Sequence, residues 1–164
     1  GGVNGMRNSI DPAELGRSVY GAAWRFFPVE TARALYQVVK VDYAVNGCPV
    51  YIPELRNVLS CVIQGIPYPV PDVPVCTECR MNENVCTYDL GIVCLGPLTR
   101  AGCNSWCINH GNFCYGCRGM VSNPNEKGAR ALLERYGVPA GLIADRIGLY
   151  NTCRELVEGG HELE

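Results

Sequence analysis

The sequence predicts an α/β part followed by an irregular, cysteine-rich segment held by metal, with short helices around it. Three observations predict this. A β-branched run, Val38 to Val45, lies between two helical patterns; Pro67, Pro69, Pro71 and Pro74 interrupt the chain after them; and eight of the eleven cysteines fall between Cys76 and Cys117.

The helical patterns have local causes. Asp11-Pro12 offers an N-cap followed by proline at the first helical position, with Leu15, Val19, Ala22 and Ala23 at helical spacing. A second short helix is expected from Val29 to Val38, with Ala32, Leu35 and Tyr36 on one face. Val38 to Val45 then reads as a buried strand ending in the Asn46-Gly47 turn, which delivers Cys48. Pro53 opens a helix with Leu55, Val58, Leu59 and Val62 at i, i+3, i+4 and i+7, closed by Gly65; Cys61 inside it reads as a small core residue.

The prolines of residues 67–75 favour an extended connector. Residues 76–119, rich in Gly and Asn, show little hydrophobic periodicity and cannot bury much apolar surface, so something other than a core must hold them. In residues 120–164, Asn123-Pro124 starts a helix with Ala129, Leu132, Leu133 and Tyr136 on its apolar face and Gly137 at its end. Pro139 starts a shorter one through Leu142, Ile143 and Ile147. The polar end from about Arg154 is expected to fray, and Cys153 before it has no metal role.

Composition excludes several classes. A chain of 164 residues with 48% hydrophobic and 18% charged residues is that of a folded protein, and its net charge of −2 lacks the cationic excess that nucleic acid demands. No run approaches the roughly 20 apolar residues of a membrane span. Gly1-Gly2-Val3-Asn4-Gly5 has no basic region followed by an apolar core, so no secretory signal is expected. An odd number of cysteines cannot all pair within the chain, and the helices outside the cysteine-rich stretch are unlike a small disulfide scaffold.

The eight cysteines form two sets: Cys76-x2-Cys79-x6-Cys86-x7-Cys94 and Cys103-x3-Cys107-x6-Cys114-x2-Cys117. A four-iron, four-sulfide cluster needs one thiolate per iron, and short spacings among Gly, Asn and Pro let one loop wrap it. Zinc competes, since it too takes four thiolates; but zinc ribbons pair two C-x2-C knuckles, whereas each set here has one such pair and two single cysteines. An iron-sulfur cluster with four cysteine ligands leaves no open position for substrate, so the two sets read as a one-electron relay. Cys48 is a candidate ligand to a third cluster. His110 reads as a solvated neighbour of the sulfurs, and His161 carries no signal.

Cys94-Leu-Gly-Pro-Leu-Thr-Arg-Ala-Gly-Cys103, followed by Cys107 and Cys114-Tyr-Gly-Cys117-Arg-Gly119, resembles the small subunit of nickel-iron hydrogenases. The likeness is to the cytoplasmic group with sulfhydrogenase delta subunits and the methyl-viologen-reducing and coenzyme F420-reducing enzymes. Gly47-Cys48-Pro49 resembles that family's G-C-P motif, with Val50 in place of the usual second proline, and Gly1 to Asn8 resembles the stretch after the third ligand of the same cluster.

The resemblance implies that residues 1–66 are the remainder of a flavodoxin-like domain, with about the first third of the family's subunit not in this sequence. It also implies a proximal 4Fe-4S cluster ligated by Cys48 and completed from elsewhere, a distal one on Cys76, Cys79, Cys86 and Cys94, and a medial one on Cys103, Cys107, Cys114 and Cys117. Implied partners are a large subunit bearing the nickel-iron site, which this chain lacks, and a flavin or iron-sulfur subunit. Two other readings stand beside it: a relay subunit of a different oxidoreductase, and a zinc-stabilised interaction module.

Overall fold

The computed structural model describes residues 7–27 and 30–151. Its chain packs as two units, Gly1–Val41 with Gly148–Glu164, and Asp42–Ile147.

In the first unit the expected helix forms as α1 (Pro12–Tyr20). The Asp11 carboxylate accepts the Glu14 N–H at 2.9 Å, which satisfies one of the amides a helix start leaves without a partner. Ala22 and Ala23 fall in the 3-10 turn Gly21–Phe26 that follows. The second expected helix is reduced to the 3-10 turn Leu35–Gln37, and its start at Pro28 and Val29 lies outside the described residues. The cause is local. The Asn8 side chain donates to the Ala32 carbonyl at 2.8 Å and accepts the Ala32 N–H at 2.9 Å, occupying both backbone groups a helix would need there.

The expected strand does not form. Residues 38–45 have no ladder partner among the described residues, whose β-pairing is limited to the isolated bridges Pro74 with Arg100 and Thr99 with Met120. β-branched residues favour extended backbone, but a strand exists only where another segment pairs with it.

In the second unit, α2 (Ile52–Gln64) has proline in its first turn and ends at Gly65, where φ is +67°. Its Leu55, Val58, Leu59 and Val62 line a groove of about 550 Å³ with Tyr43, Val45 and Val50. Cys61 is half-buried. The connector runs without helix to α3 (Val75–Met81). It is stitched to the segment before Cys103 by Val75 N–H to Thr99 at 2.8 Å and Ala101 N–H to Val73 at 2.8 Å.

The cysteine-rich stretch continues through the 3-10 turn Thr87–Leu90 and the single-turn α4 (Trp106–Asn109). α5 (Glu126–Arg135) is capped by Asn125, two residues beyond the expected start, because the Asn125 side chain accepts the Gly128 N–H at 2.9 Å. α6 (Ala140–Asn151) is longer than the sequence suggested. Val75, Tyr88, Cys94, Ile108 and Cys114 form the core, with Leu132, Tyr136 and Val138 packed against them. Arg146 donates to the Val93 carbonyl at 2.6 Å and lies over the Phe113 ring.

One ion pair joins distant parts of this unit. Arg118 and Glu54 are 4% and 5% exposed, and the guanidinium grips both carboxylate oxygens, Nη1 to Oε2 at 2.5 Å and Nη2 to Oε1 at 2.6 Å. It also donates to the carbonyls of Asn46 at 2.6 Å and Ala101 at 2.9 Å. Gly102 makes room for it: φ is +113°, and a Cβ there would lie 2.9 Å from Glu54 Oε1 and run into the guanidinium.

Removing one member leaves a buried charge alone, so Glu54→Ala and Arg118→Ala are each expected to lower stability by about 3–5 kcal/mol. The double variant should lose less than the sum. Chemical denaturation measures this, and a loss under about 1 kcal/mol in either single variant, the level of an exposed pair, would contradict the pair's role.

Candidate metal centre: two four-cysteine sites

α3 places Cys76 and Cys79 three residues apart, which puts both thiols on one helical face. Cys86 precedes the 3-10 turn, and the chain returns through Cys94. All four thiols line one cavity of about 540 Å³, together with Asn84, Tyr88 and Ile108. A water molecule occupies only about 30 Å³ of liquid, so this space far exceeds what one ion requires. Among the described residues, no three His, Cys, Asp or Glu side chains close on a point as single-ion ligands.

The surroundings of these sulfurs combine close backbone and N–H donors with burial that opposes ionisation. A Cβ on Gly96 would stand 3.3 Å from both Cys76 Sγ and Cys94 Sγ, so the bare glycine lets the two sulfurs approach its backbone. Cys94 Sγ accepts the N–H groups of Cys114 at 3.2 Å and Gly96 at 3.4 Å. Burial, then the neighbouring Cys94, Cys79 and Cys86, push the Cys76 thiol up to about 12. Burial, Cys94 and Cys86 likewise raise Cys79, against the pull of the Asn84 amide. A soft metal group that takes thiolates must therefore displace protons on entering.

The second set is linked through Cys117. Cys103, Cys107 and Cys114 are all raised first by burial, and each also feels Cys117. Cys114 reaches about 12, opposed by the Thr99 hydroxyl and the Gly116 amide. Cys114 is also the seam between the sets: its N–H bonds Cys94 Sγ, and both residues belong to the core. Exposed Cys48 stands beside Cys107 and Cys117, and its backbone amide opposes the burial that raises the Cys117 thiol. His110 is exposed, bonded by Nδ1 to the Trp106 carbonyl at 2.7 Å and packed at a tilt against that indole. Cys153 and His161 lie outside the described residues.

Sequence reasoning missed the residues that hold the two sets together. Glu78, between Cys76 and Cys79, turns to the other set: Oε1 accepts Gly102 N–H at 2.7 Å and Oε2 accepts Ser105 N–H at 3.0 Å. Asn82 donates to Ser105 Oγ at 2.9 Å and Asn84 to Asn109 Oδ1 at 2.6 Å, clasping the loop after α3 to α4. The run of asparagines was visible; which amide meets which partner was not.

The chain is similar to subunits of one class of oxidoreductases, the hydrogenases. It is 37% identical over 135 residues to the sulfhydrogenase 2 delta subunit of Pyrococcus furiosus, covering 82% of this chain and 56% of that one. Against an F420-non-reducing hydrogenase vhu subunit of Methanocaldococcus jannaschii it is 29% identical, covering 92% of this chain and 63% of the relative. A third relative, an iron-sulfur subunit of the F420-non-reducing hydrogenase of Archaeoglobus profundus, is 26% identical over 63% of this chain and 41% of its own length. The chain thus spans less than two thirds of the length of these curated relatives. No family model matches it. Among the described residues, no helix is long and apolar enough to cross a membrane.

In the metal-free chain, exposed Cys48 and Cys86 are expected to be alkylated before buried Cys94 and Cys114. Peptide mass spectrometry over a labelling time course reads the order. Early labelling of Cys94 or Cys114 would contradict the core described above.

Proposed function

We propose that this chain is the electron-relay part of a nickel-iron hydrogenase small subunit. It would hold one 4Fe-4S cluster, the distal one, on Cys76, Cys79, Cys86 and Cys94, and another, the medial one, on Cys103, Cys107, Cys114 and Cys117. The observation that carries this reading is the cavity lined by all four thiols of the first set. Its size and soft donors fit a polynuclear iron-sulfur group better than a single ion. The likeness to hydrogenase subunits, one of them named as an iron-sulfur subunit, supports the same reading.

When bound, such clusters supply one-electron carriers with no open site for substrate. The chain's own residues have three tasks. Its cysteines present thiolates; Tyr88 and Ile108, both buried, form part of the cavity wall; and amides such as those of Gly96 and Cys114 donate to Cys94 Sγ. Cys48 would serve a third, proximal cluster whose other ligands come from outside this sequence, and residues 1–66 would be the remainder of a flavodoxin-like domain. The partners would be a large subunit bearing the nickel-iron site and a flavin or iron-sulfur subunit, in the cytoplasm.

Anaerobically prepared protein is expected to contain iron and acid-labile sulfide. Cys79→Ser should remove the electron paramagnetic resonance signal of one cluster and Cys117→Ser that of the other. Loss of the same signal in both variants would contradict the partition of ligands, and a zinc-loaded, iron-free protein would end the relay reading. In the assembled complex, intact clusters without hydrogen-dependent dye reduction would point to a different oxidoreductase.

A further inference from the structure

Glu78 sits on α3 between two thiols of the first set, yet its carboxylate serves the second. Gly102 N–H at 2.7 Å and Ser105 N–H at 3.0 Å both donate to it, and the Cys103 thiol lies 3.9 Å from Oε2. Gly102 and Ser105 lie on either side of Cys103, so two backbone amides next to this cysteine are directed to a carboxylate, while the Trp106 amide serves the Cys103 sulfur. Ser105 is held with φ at +47°, a conformation a serine seldom adopts, and its N–H is the group Glu78 binds. Arg118, the cation facing the same thiol, is gripped through both guanidinium arms by Glu54.

Negative charge beside a cluster resists a further electron, whereas N–H donors to its sulfurs favour one. Glu78 supplies the first beside Cys103, which lowers the potential.

We infer that Glu78 is a positioning residue that holds down the reduction potential of the site formed by Cys103, Cys107, Cys114 and Cys117. This rests on the cluster assignment proposed above. A residue borne between two ligands of one site would thereby set the step in potential between both.

The test is a redox titration of the full chain, loaded anaerobically with iron and sulfide and followed by electron paramagnetic resonance. Glu78→Gln keeps the size and one acceptor but removes the charge. It is expected to favour reduction of the second site at least tenfold, which is about 59 mV for a one-electron couple, and to move the first site less. Glu78→Asp, which withdraws the charge by one methylene, should shift the same signal by a smaller positive amount. Glu83→Gln, which removes an exposed carboxylate five residues along the chain from Glu78, should leave it in place.

An unchanged second-site potential in Glu78→Gln, or equal shifts at both sites, would overturn the inference. If the glutamine variant fails to load, Glu78→Asp decides alone: a positive shift upholds the inference, and no shift overturns it. Wild-type protein that shows no second-site signal would overturn the cluster assignment itself, and the inference with it.

Discussion

The bidentate bond between Glu54 and Arg118 is the constraint on which the second unit depends. It joins residues 64 positions apart, one on α2 and one immediately after Cys117. The same guanidinium holds the carbonyl of Asn46, two residues before Cys48, and that of Ala101, two before Cys103. Three cysteines on three separate stretches of backbone are thus located by one buried cation. Two charges removed from water are tolerable only when their remaining hydrogen-bonding groups are satisfied, and these carbonyls satisfy them. Gly102, with no side chain and a positive φ, lets the backbone pass the pair.

Around that anchor, the cysteine-rich stretch has little else to fold upon. Among its buried residues are two thiols, Cys94 and Cys114. Burial raises the Cys114 thiol, so the metal-free chain keeps it neutral, and a metal group that needs thiolates changes the core on binding. Folding and loading of this segment are therefore one problem. The Asn82, Asn84, Ser105 and Asn109 clasp and the Glu78 carboxylate hold the loops in place with side-chain polar contacts, where most proteins would use apolar area.

Much of this was legible in the sequence because it is locally determined. Asp11-Pro12 starts a helix, and Gly65 ends one, through bonds spanning a few residues. Spacing suggests two sets of four cysteines, and the structure gathers the four of the first around one cavity. What escaped was non-local. Val38 to Val45 has strand composition, but no described segment pairs with it. The helix expected from Val29 yields to one asparagine 24 residues away in sequence, bonded to both backbone groups of Ala32. No periodicity announces that Arg118 will meet Glu54, or that Glu78 will turn from its neighbours toward Gly102 and Ser105.

The central claim is that two four-thiol sites share a wall at Cys94 and Cys114, close enough to hand over single electrons. The most direct measurement is electron paramagnetic resonance of the fully reduced, loaded chain at several microwave frequencies. Two clusters meeting at that wall are expected to split or broaden each other's signals and to quicken each other's relaxation. Two sharp, independent signals, or a single cluster, would contradict the account.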